Sequence, residues 1–160
     1  MPDRSKARRS SGNGRGNGPS LVYVVGRVDQ AVRREMRKRL ADWDLSVPEY
    51  TTLSVLRRRP GLSNAQLARR TMVTPQSMIE ILARLEDRKL IRREVDPAHK
   101  RILRGELTPA GEKLLARADP AVESIQDEML LDVPDGQREV VLDGMLKAMR
   151  RLSAGLNGGA

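Results

Sequence analysis

The stretch TPQSMIEILARLEDRK, from Thr74 to Lys89, constrains the fold of this chain more than any other. A threonine followed by a proline is typical of a helix start, because the threonine side chain caps a free backbone N–H and proline has no N–H to leave unpaired. At about 3.6 residues per turn, the apolar residues of this stretch fall on one face and the polar residues on the other. The apolar face comprises Met78, Ile81, Leu82 and Leu85, and the polar face comprises Gln76, Ser77, Glu80, Arg84 and Asp87. The sequence therefore predicts an amphipathic helix with a core side and an exposed polar side.

A second, shorter helix is predicted just upstream, in the segment SNAQLARR from Ser63 to Arg70. Ser63 and Gln66 have the spacing of a capping box, and Leu67 is the residue that anchors this helix in the core. Only Thr71 to Val73 separate it from the next helix. Two helices joined by so short a turn, the second with a polar face near its start, are typical of a helix-turn-helix whose second helix enters the major groove of DNA.

A β-hairpin is predicted after the second helix. The runs LIRREV (90–95) and ILRGELT (102–108) are rich in β-branched and apolar residues, and DPAHKR separates them. The tip of this hairpin carries His99, Lys100 and Arg101. A hairpin in this position makes the module a winged helix-turn-helix, so the predicted fold class is mainly α with a small β-hairpin wing.

The winged module opens with one more helix, predicted from Leu45 to Arg59. Ser46 and Glu49 form a second capping box at its start. Leu53 and Leu56 are expected to be its core side, because they lie three residues apart.

The net charge of +9 is concentrated on this module. Residues 46–104 carry thirteen Lys and Arg against six Asp and Glu, whereas residues 105–160 carry six against ten. Such an asymmetry is typical of a protein that binds a polyanion such as DNA. The alternative is a basic surface that is merely solvated.

The residue types favour no catalytic site. The chain has no cysteine, and its single histidine, His99, lies on the predicted hairpin. No Ser/His pair, metal-ligand cluster or phosphate-binding loop is recognisable, so we expect neither an enzyme nor a bound metal or cofactor. No apolar run approaches the roughly 18 to 20 residues that span a bilayer, so the expected location is the cytoplasm.

Long amphipathic helices flank the winged module. One is predicted from about Ser20 to Trp43, and two more follow Thr108, the first of which Pro120 should kink or break near Ala118. The apolar stripes of the first and last helices need a partner surface, which a chain of 160 residues hardly offers within itself. We therefore expect these helices to pack against the same helices of a second copy.

The chain thus divides into five predicted segments. They are a disordered basic N-terminal arm (1–19), a dimerisation helix (20–45), the winged DNA-binding module (46–107), C-terminal dimerisation helices (108–152) and a flexible tail (153–160). The arm is expected to be disordered because it has almost no apolar residue to bury.

The segments LSVPEYTTLSVL, LSNAQLARR, VTPQSMIEILARLEDRKLIRR, DPAHKR and LTPAG, in this order and spacing, resemble the MarR family of winged helix-turn-helix transcription regulators. The resemblance covers roughly residues 20–152. It implies an obligate homodimer, joined through its N- and C-terminal helices, that binds a pseudo-palindromic operator as a repressor. Many members are released from DNA by a small, often aromatic or phenolic, ligand held between the dimer helices and the DNA-reading module.

The resemblance also implies which residues contact DNA. Gln76, in the first turn of the recognition helix, is the best candidate for a bidentate bond to adenine. Arg84 either reaches a phosphate from the same face or pairs with Glu80, four residues before it. Arg101 matches a wing arginine that enters the minor groove in relatives, where a narrow groove attracts it. The full predicted set is Ser63, Asn64, Thr74, Pro75, Gln76, Ser77, Arg84, Lys100 and Arg101.

The wing departs from the family at His99, where members often have an acidic residue. An ion pair made by that acid is therefore absent, which predicts a looser or more basic wing. Lys100 and Arg104 are expected to contact phosphates, so that replacing either weakens binding to all DNA sequences alike.

An effector site is expected at the junction of the first two helices. Trp43 and Tyr50 lie there, and each offers an apolar face and one polar group to a small aromatic anion, with Arg39 as the counter-charge. The alternative is that Trp43 and Tyr50 only cap the core.

Two functions remain open from the sequence. One is a sequence-specific, ligand-responsive regulator, and the other is a sequence-tolerant architectural protein that coats DNA, which the basic N-terminal arm would suit. The ratio of specific to non-specific affinity separates them.

Overall fold

A computed structural model describes residues 18–154 of the chain. The helices are α1 (Leu21–Leu40), α2 (Val47–Arg58), α3 (Asn64–Thr71), α4 (Pro75–Asp87), α5 (Pro109–Met129) and α6 (Asp135–Ala154), with a short 3-10 helix at Ala41–Trp43. The strands are β1 (Leu62–Ser63), β2 (Ile91–Val95) and β3 (Leu103–Leu107). The predicted arm, up to residue 17, and the predicted tail, from residue 155, lie outside the described residues.

Local capping chemistry sets where the helices begin. At the start of each of the first five helices, a serine or threonine side chain accepts a hydrogen bond from the backbone N–H three residues later. Both predicted capping boxes are present, at Ser46 with Glu49 and at Ser63 with Gln66. These caps bring the helix starts within two residues of the predicted positions.

The core lies where α2, α3 and α4 meet, with the C-terminal end of α1 and part of α5 packed beside them. All four residues of the predicted apolar face of α4 are buried, and so are Leu53 and Leu56 of α2. Leu40 closes the core from α1, and Leu115 closes it from α5. Because the chain contains no phenylalanine, aliphatic side chains, mostly leucine, fill this space.

The three strands form one antiparallel sheet in the order β1-β3-β2. β2 and β3 are the predicted hairpin, with Ile91 paired to Leu107 at one end and Val95 to Leu103 at the other. β1 is absent from the sequence prediction, because a strand of two residues leaves no periodic pattern. It pairs with β3 and so ties the wing to the loop that precedes α3.

α5 continues without a break although Pro120 lies inside it. Of the predicted kink or break near Ala118, the break is therefore wrong, and the kink stays a prediction. Contacts just before the proline hold this part of the helix in place, since Ala118 is fully buried and the Asp119 carboxylate accepts a hydrogen bond from the Tyr50 hydroxyl at 2.8 Å. Tertiary packing here outweighs the loss of one backbone hydrogen bond at the proline.

The first and last helices leave apolar side chains uncovered. Leu21 to Val25 of α1 are all exposed, and α6 has no buried residue among those described. The exposed apolar residues of α6 are Val140, Val141, Leu142, Met145, Leu146, Met149 and Leu152. No helix within residues 18–154 is long and apolar enough to cross a membrane. The single chain therefore presents two apolar surfaces that nothing in the described range covers.

Gly111, in the first turn of α5, should tolerate substitution poorly. A Cβ at this position would lie 2.1 Å from the carbonyl oxygen of Leu90, a backbone atom that also accepts the Thr108 N–H at 3.1 Å. We expect Gly111→Ala to push α5 away from the wing. The free energy of unfolding should fall by roughly 1 to 3 kcal/mol, which is typical of overpacking.

The matched control is Gly144→Ala in α6, where a Cβ meets no other atom within 4 Å. This substitution should raise the free energy of unfolding by about 1 kcal/mol, because alanine favours a helix more than glycine does. Urea unfolding at one fixed protein concentration measures both changes. Similar effects of the two substitutions would contradict the contact with Leu90.

Candidate nucleic-acid interface

The start of α4 presents polar side chains at the surface. Thr74, Pro75 and Gln76 are exposed, and Ser77 is half-buried. The Thr74 hydroxyl accepts the Ser77 backbone N–H at 3.0 Å and donates to the Ser77 hydroxyl oxygen at 2.8 Å. This exchange holds both side chains and leaves the hydrogen of the Ser77 hydroxyl to be donated outward. The structure therefore brings the four predicted residues together in one turn.

The turn between α3 and α4 holds the two helices in a fixed relation. Met72 adopts a left-handed conformation (φ 54°) at the end of α3, and the Val73 N–H donates to the Ala68 carbonyl at 3.1 Å. The Asn64 side-chain amide donates to the Pro75 carbonyl at 3.4 Å, whereas its buried Oδ1 has no hydrogen-bond partner among the described residues. Asn64 thus braces the start of α4 from α3.

Like Asn64, Thr74 and Ser77, two more of the predicted DNA contacts, Ser63 and Arg84, have partners in the fold. The Ser63 hydroxyl accepts the Gln66 N–H at 3.4 Å, as the N-cap of α3. Arg84 donates through Nε to the Glu49 carboxylate at 3.0 Å, so its ion-pair partner is Glu49 and not the expected Glu80. The Arg84 side chain remains 54% exposed, and its outer part faces solvent.

Glu49 joins α2 to α4 through both oxygens of its buried carboxylate. One oxygen accepts the Ser46 backbone N–H at 2.8 Å, and the other accepts Arg84. Burial by itself would raise the pKa of Glu49, but the hydrogen bonds from Ser46 and Arg84 outweigh burial and lower this pKa below its ordinary value. The carboxylate is therefore charged at neutral pH.

The tip of the wing is built from two successive turns. The His99 N–H donates to the Asp96 carbonyl at 3.1 Å, and the Ile102 N–H donates to the His99 carbonyl at 2.8 Å. Lys100 and Arg101 are exposed, and neither forms an ion pair within residues 18–154. Both cations are thus available to an external anion.

An ion pair with a buried carboxylate holds the wing, which was predicted to be looser or more basic because His99 stands in place of an acid. The Asp96 carboxylate, only 4% exposed, accepts the Ala98 N–H at 2.9 Å and Arg104 Nε at 2.8 Å. Arg104 also donates to the Gly61 carbonyl at 2.8 Å. The Ala98 N–H and, against the effect of burial, the Arg104 guanidinium hold the pKa of Asp96 below its usual range. Arg104, expected to contact phosphate, is thus engaged within the wing.

A basic cleft of about 710 Å³ lies between α1 and α4. Arg33 and Arg37 line it from α1, and Arg84 and Arg88 line it from the C-terminal end of α4. Two acids, Asp44 and Glu49, also line it, and Glu49 is paired with Arg84, so the arginines outnumber the acids by two. Its apolar floor is formed by Ala41, Leu45, Val47 and Pro48. Arginine walls over an apolar floor suit a small anion with an apolar body.

The residues predicted to bind an effector do not come together in this cleft. Arg39 points towards α5, where it donates to the Ser124 hydroxyl. Tyr50 also contacts α5, through Asp119, and burial together with this carboxylate raises the pKa of Tyr50 to about 12. The phenol is therefore neutral and donates its hydrogen. Trp43 packs partly buried against the core, so the alternative in which Trp43 and Tyr50 cap the core fits the geometry better.

Sequence reasoning missed the carboxylates that engage the arginines. The sequence identified Glu49 only as a capping-box residue and Asp96 only as the start of the wing turn. No pattern in the sequence pointed to Asp119, whose carboxylate accepts a hydrogen bond from the Arg57 guanidinium at 2.6 Å. Their partners lie at least eight residues away, beyond the range in which helix or strand periodicity pairs residues.

Comparisons with known proteins agree with this geometry. A sequence model described as MarR family matches residues 43–102. The HTH-type transcriptional repressor Rv2887 of Mycobacterium tuberculosis is 36% identical over 110 residues, which cover 69% of this chain and 79% of that protein. A crystal structure of Rv2887 in complex with DNA is similar with a TM-score of 0.68 and 31% identity, covering 82% of this chain and 98% of that one. A crystal structure of Rv2887 with salicylic acid is similar with a TM-score of 0.67 and 32% identity, covering 83% and 98%.

Loss of Arg104 should open the wing while α4 stays folded. Arg104→Ala leaves the buried Asp96 carboxylate and the Gly61 carbonyl without their donor, so we expect faster amide hydrogen exchange across residues 91–107 and unchanged protection of α4. Lys100→Ala, at the tip of the same wing, is the control and should leave exchange as it is. Hydrogen exchange followed by mass spectrometry measures both, and equal protection of the wing in the two variants would show that Arg104 has no structural part.

Proposed function

Because this chain belongs to the MarR family of transcription regulators, we propose that it is a homodimeric repressor that reads a pseudo-palindromic operator with α4 and is released by a small aromatic carboxylate. The observation that carries the proposal is the exposed polar turn at the start of α4, beside a wing whose Lys100 and Arg101 form no ion pair within residues 18–154. A helix start of this kind next to a basic hairpin fits the major and minor grooves of one DNA face.

The proposal gives each element of the interface a role. Gln76 reads an adenine edge in the major groove, where an amide can both donate and accept. Thr74 and Ser77 position the helix on a phosphate, since the Ser77 hydroxyl keeps a hydrogen to donate. Arg101 enters the minor groove, and Lys100 neutralises a phosphate beside it.

The uncovered apolar residues of α1 and α6 support the dimer. Both helices expose large apolar side chains over several turns, which in a water-soluble regulator is typical of a surface that meets a partner. In the proposed assembly, residues 20–45 and 108–152 join the two copies and residues 46–107 bind DNA. The two α4 helices then contact half-sites one helical turn, roughly 34 Å, apart.

The basic cleft between α1 and α4 is the proposed effector site. Rv2887 has been crystallised with salicylic acid, an aromatic carboxylate, and the cleft offers arginines for the carboxylate and an apolar floor for the ring. We propose the effector beside Arg37, which forms no ion pair within residues 18–154, and beside Arg84, whose side chain is 54% exposed although it pairs with Glu49. Arg39, Trp43 and Tyr50 are less suited, because their side chains bond or pack against α5 and the core. An anion that draws Arg84 away from Glu49 would loosen the link between α2 and α4.

Replacing Gln76 should relax sequence preference, whereas replacing Lys100 should not. Gln76→Ala is expected to cost about 1 to 3 kcal/mol on the operator and to equalise affinities at one base step, because it removes a contact to a base edge. Lys100→Ala should weaken binding to all sequences by a similar factor, because phosphates are the same everywhere.

Fluorescence anisotropy measures these effects. The DNA samples are the region upstream of the protein's own gene, variants of it with one base pair changed, and scrambled DNA. Sedimentation of the complex should give two protomers per operator. A specificity ratio of the wild type well below about 10³ would favour the DNA-coating alternative, and equal loss of preference in both variants would contradict the roles of Gln76 and Lys100.

Salicylate should bind the cleft and release DNA together. Trp43, the sole tryptophan, lies beside the cleft, and its carbonyl accepts Arg88 at 3.0 Å, so its fluorescence should change over the concentration range that lowers operator affinity. Arg37→Ala should raise the salicylate concentration for half-release roughly tenfold, because a hydrogen bond to a charged group contributes about 1.5 kcal/mol or more. Arg117→Ala on α5 is the control for charge. If Arg37→Ala and Arg117→Ala are released from DNA at the same salicylate concentration, the effector binds elsewhere.

A further inference from the structure

α1 has a basic face that the functions proposed above do not use. Its apolar stripe runs through Val28, Val32 and Met36 and packs towards α5. Arg27 and Arg34 lie on the opposite side of the same helix, seven residues apart and therefore in line along its axis. Whatever covers the apolar stripe thus leaves the basic face outside.

The basic face forms a shallow depression of about 390 Å³ that contains no acidic residue. Its lining consists of Arg27, Gln30, Ala31, Arg33, Arg34 and Arg37. The acids of α1 lie at its margins, where Asp29 bonds Arg33 at 2.9 Å and Glu35 meets Arg34 at 3.4 Å. Within residues 18–154, Arg27 and Arg37 form no ion pair.

Like charges also stand one helical turn apart on this face. Arg33 precedes Arg37 by four residues, and Arg34 precedes Lys38 by four. Such pairs destabilise an isolated helix by a few tenths of a kcal/mol each, roughly 0.2 to 0.5. An external polyanion would turn this repulsion into attraction.

The basic face is continuous with a cleft at the C-terminal end of α4, the helix whose N-terminal turn is proposed to read DNA. Arg33 and Arg37 line both the α1 depression and the cleft whose far wall is formed by Arg84 and Arg88. Arginines therefore follow one another from the end of α4 to the middle of α1. From Arg27 to Arg37 the helix rises roughly 15 Å, at about 1.5 Å per residue, which is long enough to face several phosphates spaced about 3.4 Å along the axis of one DNA strand.

We propose that this arginine face of α1 binds phosphates of the operator outside the contacts made by α4 and the wing, an inference that rests on the proposed DNA-binding function. Double-stranded DNA is the partner because the face continues from the reading helix, and because arginine forks match phosphate oxygens. In this proposal the face meets phosphates and not base edges. It adds affinity without sequence preference and lengthens the protected stretch of DNA.

The test is the salt dependence of DNA binding by Arg27→Ala/Arg34→Ala. Each phosphate contact contributes about 0.9 to the slope of log affinity against log salt concentration, so two arginines in each of two protomers should make the slope shallower by up to about 3.6. The loss should be the same on operator and scrambled DNA, and the hydroxyl-radical footprint should shorten. Arg27→Lys/Arg34→Lys keeps the charge and should retain most of the slope.

Lys113→Ala/Arg117→Ala, on the exposed side of α5, removes equal charge away from this face and should change the slope by less than about 1. Circular dichroism confirms that each variant is folded. The inference is overturned if the wild type prefers its operator but Arg27→Ala/Arg34→Ala changes the salt slope and the footprint no more than the control does. The proposed function would then still stand. A wild-type protein that does not prefer its operator overturns the proposed function itself.

Discussion

The burial of one face of α4 is the constraint on which the rest of the structure depends. The four apolar side chains of this face are packed into the core, and burying an aliphatic side chain contributes roughly 1.5 to 3 kcal/mol. Rotation of α4 about its axis would lose much of this energy. Because a helix has a fixed period, the same burial holds Gln76 and the rest of the first turn towards solvent. The orientation of the proposed DNA-reading edge therefore follows from apolar packing on the other side of the helix.

Ion pairs then join the elements around α4, among them Arg93 of β2 with Glu86 of α4, and three others share one feature. In each of them the carboxylate is less exposed than the arginine, so that removing the arginine leaves a sheltered negative charge without its partner. They link α2 to α4, one strand of the wing to the turn at its tip, and α2 to α5. The pairs are Glu49 with Arg84, Asp96 with Arg104 and Asp119 with Arg57. The proposed reading helix, wing and dimer helices are thus positioned by contacts of one kind.

Charge separates the surfaces by partner. The C-terminal part of the chain is acidic and exposes apolar residues, whereas the start of α4, the wing tip and the outer face of α1 are polar or basic. Arg33 and Arg37 belong both to the cleft proposed for an effector and to the face proposed for DNA phosphates. An anion in the cleft would neutralise part of the charge offered to DNA. A single arginine surface could in this way couple ligand binding to release.

Helix starts, helix faces and the hairpin could be predicted from the residues in order, because their causes lie within about four positions along the chain. A cap and its N–H, or an apolar residue and the next one on its face, need no distant contact. The partners of the arginines could not be predicted in this way, since Arg84 meets a residue 35 positions away and Arg104 a carbonyl 43 positions away. Strand β1, the unbroken α5 and the basic cleft arise for the same reason. Each depends on contacts between segments that are distant in sequence and share no local pattern. Long charged side chains bond whichever group the packed core leaves within reach.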